Sequence, residues 1–115
     1  MTLKPFIAAV AAAAVLSGCA GGPQPPAWQG DARGALDGYT DDFLRGDSAA
    51  ADAEFARARR ASAATGRFDV VAQAELVRCG VRAAALAFDC AGFDALAADA
   101  TPAQRAYAAY LDGRW

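Results

Sequence analysis

Apolar positions along this chain follow two patterns. Residues 6–16 form an uninterrupted apolar run, whereas from residue 28 onward apolar side chains recur every three or four positions. The second pattern is the period of a helix with one face turned to a core. Trp28, Ala32, Leu36, Tyr39 and Phe43 make the first stripe, and Ala51, Phe55, Ala58, Ser62 and Thr65 the second. Val70, Ala74, Val77, Val81 and Ala84 predict the buried face of a third helix running to about Leu86. Gly46 and Gly66 are the expected helix stops, with Asp47 or Ser48 capping the second helix and Asp69 the third. Residues 88–100 are less regular and predict a helical turn near 94–98. Thr101-Pro102-Ala103-Gln104 then combines a capping box with proline at the first helical position. The last helix carries Ala106, Tyr107, Tyr110 and Leu111 and stops near Gly113. The expected fold class is all-α, with four to five helices in antiparallel hairpins over residues 28–115.

The first run has a different meaning. At 11 residues it is about half of the roughly 20 needed to span a bilayer. Lys4, the only lysine, precedes it, and Leu16-Ser17-Gly18-Cys19 ends it. A basic segment, an apolar segment, small residues and a cysteine resemble the signal of a bacterial lipoprotein precursor, whose lipobox is met at all four positions. The resemblance implies cleavage between Gly18 and Cys19, a diacylglyceryl group on the Cys19 sulfur, and a further acyl chain such as palmitate on the new amino terminus. Two or more chains anchor a protein stably without a membrane span. In this class an aspartate after the cysteine signals inner-membrane retention. Ala20 stands there, which implies the outer membrane, with the domain facing the periplasm. The expected organisation is a signal peptide over 1–18, a lipidated cysteine with a Gly/Pro linker over 19–27, and a helical domain over 28–115.

Charge and missing residue types narrow the chemistry. Without Lys4 the chain has 10 arginines against 13 acids, a formal −3 with no basic patch of the kind nucleic acid needs. There is no histidine, which excludes Ser-His and Cys-His nucleophiles and histidine metal sites. Loss of lysine excludes Schiff bases and phosphate loops that use one. Asp41 and Asp42 are consecutive, so on a helix they point about 100° apart and cannot converge on one atom. Arg57, Arg59 and Arg60 stand late in the second helix, where its dipole alone accounts for them. No catalytic residue, metal, cofactor or small-molecule substrate is indicated, and the expected role is non-enzymatic.

With Cys19 acylated, Cys79 and Cys90 remain in an oxidising compartment and are expected to pair. A continuous helix from 79 to 90 would hold their α-carbons about 16 Å apart, beyond the roughly 7 Å limit for a disulfide. The third helix must therefore end early and the chain fold back along it. Two buried thiols are the alternative.

Tyr39-x-x-x-Phe43-Leu44-Arg45-Gly46 is echoed by Tyr107-x-x-Tyr110-Leu111-Asp112-Gly113, and Phe43 and Tyr110 stand 67 residues apart. That is nearly two repeats of about 34 residues, with Leu76-Val77-Arg78-Cys79-Gly80 at the midpoint. Together with Ala51-x-x-x-Phe55-x-x-Ala58, this resembles a tetratricopeptide repeat array, which implies a concave surface for a protein or peptide. A plain helical hairpin array fits the same residues. Only Arg114 and Trp115 follow Gly113, so Tyr107, Tyr110, Leu111 and Trp115 are the candidate partner-binding or self-association patch. In the alternative arrangement the last helix folds over the first two and buries its aromatics. The expected function is a lipid-anchored helical adaptor in the cell envelope. A structural envelope lipoprotein without a specific partner is the competing expectation.

Overall fold

A computed structural model describes residues 21–114, so the lipobox with Gly18 and Cys19, and also Trp115, lie outside the described residues. The fold is all-α: α1 (Ala27–Leu44), α2 (Ser48–Ala63), α3 (Phe68–Ala84), the single turn α4 (Ala91–Asp94) and α5 (Pro102–Leu111), with a 3-10 turn at Ala97–Asp99.

Helix ends follow from their capping residues. Asp47 accepts a side-chain bond from the Ala50 amide at the start of α2, and Thr101 and Gln104 form the complete capping box of α5. At the end of α1, Gly46 takes φ 81°, and two amides return to the last turn: Gly46 N–H donates to Phe43 O and Asp47 N–H to Asp42 O. This Schellman closure needs a left-handed residue and favours glycine. The same closure ends α5 at Gly113, with Arg114 N–H donating to Ala109 O. It also ends α3, but there the left-handed residue is Leu86, at φ 62°. Asp69 does not cap α3 as expected. Arg67 is the N-cap, and Asp69 sits in the first turn, where hydrogen bonding from Arg67 holds its carboxyl below the usual aspartate range.

α1 and α2 pack along their lengths as an antiparallel hairpin. Alanines make the close approach possible: Ala32 and Ala35 of α1 and Ala51 and Ala58 of α2 are buried. Gly38 lies so near α2 that a Cβ would stand 3.1–3.2 Å from the Glu54 side chain. Tyr39, Phe43 and Phe55 fill the remaining space, with the Tyr39 and Phe55 rings edge-on at 5.5 Å. Full burial of a side chain such as Phe55 contributes roughly 1.5–3 kcal/mol.

α3 returns beside α1 and is covered from two sides, by α1 and α2 on one and by α4, the 3-10 turn and α5 on the other. Its buried residues are Val71, Ala72, Ala74, Glu75, Leu76 and Cys79. The valine stripe predicted for this face is therefore displaced: Ala74 is buried, Val70, Val77 and Val81 are half-buried, and Ala84 is exposed. A second small core, Ala72, Leu76, Phe93, Ala100 and Ala108, joins α3 to the chain beyond it. The helix does end before Cys90, and Cys79 and Cys90 are joined with their α-carbons 5.0 Å apart.

The spacing of a 34-residue repeat is not maintained. From residue 27 to 68 is 41 residues and from 68 to 102 is 34. Gly80, at the expected midpoint, lies inside α3 rather than at a stop.

Candidate functional site

α1, α3 and α5 all begin at one end of the domain and finish at the other. At the starting end Gln104 of α5 donates to Asp69 O of α3, 2.8 Å away, and Trp28 of α1 shares a hollow with both residues. At the finishing end lies an open groove of about 1110 Å³. Its floor is Gly80, Ala83 and Ala84 of α3, and its walls are Phe88, Tyr110 and Leu111. Small residues one turn apart leave the α3 backbone shallowly covered, while the walls supply aromatic surface. Phe88 is 70 % exposed, Tyr110 61 % and Tyr107 46 %. The Tyr107 and Tyr110 rings stack with centroids 6.3 Å apart. Tyr107 also borders a neighbouring hollow with Leu44, Val77 and Val81, so the apolar surface continues across α3 to the end of α1.

The structure thus brings Tyr107, Tyr110 and Leu111 to one surface, and it corrects the alternative in which α5 covers the first hairpin. α5 packs on α3 and leaves both tyrosines exposed. Trp115 lies outside the described residues. Sequence reasoning missed Phe88, because the disulfide-pinned return after α3 decides where it stands. Phe88 lies two residues before Cys90, and Cys90 is bonded back to Cys79. The groove's charges, Asp112 and Arg114, pair with each other at 2.8 Å on the rim. Apart from this rim pair the residues lining the groove are small, aromatic or aliphatic.

A polar cluster lies behind the groove, inside the domain. The Glu75 side chain is 1 % exposed and is met by Arg59 of α2 on one oxygen and by Arg78, 2.8 Å from the other. The Arg78 contact is off the angle of a hydrogen bond, so it is ionic in character. Arg78 also lies over the Phe55 ring at 4.2 Å, a cation–π contact. Arg82 pairs with Asp89 at 3.2 Å in the return segment. Tyr39 points its hydroxyl into the same interior without a hydrogen-bond partner among the described residues, and burial raises its pKa above the ordinary value. A buried carboxylate held by two arginines is a structural junction. It ties α2, α3 and α4 together. Among the described residues no group of three or more Cys, Asp or Glu is placed to hold a metal ion, and no helix is long and apolar enough to cross a membrane.

Comparisons with protein-family models, with curated proteins and with solved structures find no match for this chain.

Proposed function

We propose that this protein is a lipid-anchored, non-enzymatic adaptor of the bacterial envelope, held at the periplasmic face of the outer membrane through Cys19, that captures an envelope protein or peptide in the groove between α3 and α5. The observation that carries the reading is the contiguous exposed apolar surface of Phe88, Tyr110, Tyr107 and Leu44 around a floor of small residues. Large apolar residues clustered in this way mark interaction surfaces, and aromatic residues are the usual anchors. The surface stands at the end of the domain opposite the start of α1, where the linker enters. A tether at one end and a groove at the other suit recruitment, since anchoring raises the local concentration of whatever is bound.

Two measurements test the two halves of the proposal. Metabolic labelling of bacteria with a palmitate analogue should mark the wild-type chain and leave Cys19→Ala unmarked. An unmarked wild-type chain removes the anchor. Crosslinking in the same cells should yield a stoichiometric partner that is lost in Phe88→Ala/Tyr110→Ala while helix content is kept. Absence of any partner favours the structural envelope lipoprotein instead.

A further inference from the structure

The groove between α3 and α5 carries a recess and a protrusion on the same face. Gly80, Ala83 and Ala84 make a floor of small residues, and Phe88, four positions past the end of that floor, is 70 % exposed. A two-fold rotation about an axis beside the groove can set each Phe88 over the floor of a second copy. Such a face meets the condition of a symmetric dimer, whose two partners present the same patch to each other.

Charge does not oppose this pairing. Among the described residues the charged groups lining the groove are Asp112 and Arg114, which neutralise each other at 2.8 Å. The adjoining hollow that holds Leu44 and Tyr107 is lined by no charged residue among those described. Two identical faces therefore meet without placing unpaired like charges opposite one another, the usual obstacle to joining a surface to itself.

The exposed area is also sufficient. At about 200 Å² for each full aromatic side chain, the exposed parts of Phe88, Tyr110 and Tyr107 amount to about 350 Å² per copy. Stable interfaces begin at a total of about 1,200 Å², which leaves about 250 Å² to come from the rest of each face. Leu44, 64 % exposed, Leu111, the exposed Ala84 and the rim pair supply it.

We infer that the protein seated in this groove is a second copy of the same chain, in a two-fold dimer standing on the membrane that holds Cys19. The inference rests on the reading of the groove as a protein-binding surface and on the lipid anchor, and it names the partner. α1, α3 and α5 begin together at the end the linker enters, where Trp28 shares a hollow with Val70 and Gln104. A two-fold axis running along α3 and α5 therefore brings both linkers out on one side, toward one membrane. Each copy carries the same linker over residues 20–26, so anchoring holds the two grooves at the same height and raises their concentration relative to each other.

The test is photocrosslinking in bacteria that co-express two full-length chains with different epitopes inserted in their linkers. One chain carries a photoreactive phenylalanine at position 110. The expected product is an adduct bearing both epitopes. Ala84→Arg in both chains fills the floor and faces like charges across the axis, at a helix end where the dipole favours a cation. It should lower the yield of that adduct about tenfold or more with helix content unchanged. Leu44→Arg, on a different helix, should lower it too, so the test does not depend on one variant folding. Ala53→Arg, at an exposed position on α2, should leave it unchanged. An adduct between position 110 and a different protein, with none bearing both epitopes, overturns the dimer and leaves the capture reading standing. No adduct of either kind overturns both. A doubly tagged adduct undiminished by Ala84→Arg and Leu44→Arg shows that the copies meet elsewhere, and also overturns the inference.

Discussion

Gly92 of α4 rests directly on the buried carboxylate of Glu75 in α3. A Cβ at position 92 would stand 2.5 Å from Glu75 Cδ and 2.6 Å from Arg78 Nη2. The chain can cross the Glu75–Arg78 pair there only because no side chain intervenes. Cys90, two residues earlier, is bonded to Cys79, one helical turn beyond Glu75. Phe93, one residue later, is buried in the second core. Three consecutive features therefore fasten the return segment to α3, and the position of Phe88 beside the groove depends on all of them.

Gly92→Ala should destabilise the domain by about 1–3 kcal/mol, because the added methyl group meets a charged pair that is itself fixed from two helices. Chemical denaturation checks this. Ala91→Gly, one position earlier on an exposed site, should cost less and serves as the comparison.

Leu86 adopts φ 62° with its side chain 79 % exposed, so it incurs left-handed strain without gaining burial. Leu86→Gly should stabilise the protein by about 1 kcal/mol, read as a higher denaturation midpoint with an unchanged slope. A lower midpoint would show that Leu86 makes a contact that outweighs its backbone strain.

Tyr39→Phe should leave stability within about 1 kcal/mol of wild type or raise it, since the hydroxyl it removes is buried without a partner. The variant should also change the alkaline limb. Burial raises the folded-state pKa of Tyr39 above 10.0, so its contribution is present below pH 10 and is lost as pH rises through the folded value. Denaturation profiles at and above pH 10 should fall more steeply for wild type than for Tyr39→Phe.

Cys79→Ala/Cys90→Ala should lose about 3 kcal/mol, the chain-entropy value for so short a loop. Hydrogen exchange should rise over residues 85–92 while α1 and α2 stay protected, because their packing does not involve the bridge.

The sequence was most legible where a helix has one covered face. In α2 the stripe Ala51, Phe55, Ala58 and Ser62 is also the observed buried set, since only α1 and α3 lie against it. In α3 the same reasoning chose the wrong face. Its most apolar stripe, the valines, is half open to the groove side, while the face pressed between neighbours contains Glu75, whose charge is neutralised by arginines 16 residues before it and three after. Such a residue reads as solvent-facing in any periodicity count. The candidate site was legible as Tyr107, Tyr110 and Leu111 because they share a short helix. Phe88 was not, because a return loop pinned by a disulfide brings it there, and Gly80, Ala83 and Ala84 of α3 were not, because small residues become a groove floor only once α5 and that loop stand beside them.

The most direct test of the adaptor reading is site-specific photocrosslinking in living cells, with a photoreactive amino acid placed at position 110 beside the groove and, separately, at exposed position 53 on α2. The account predicts a discrete adduct from position 110, lost on Phe88→Ala, and none from position 53. No adduct from position 110, or the same adducts from both positions, would contradict it.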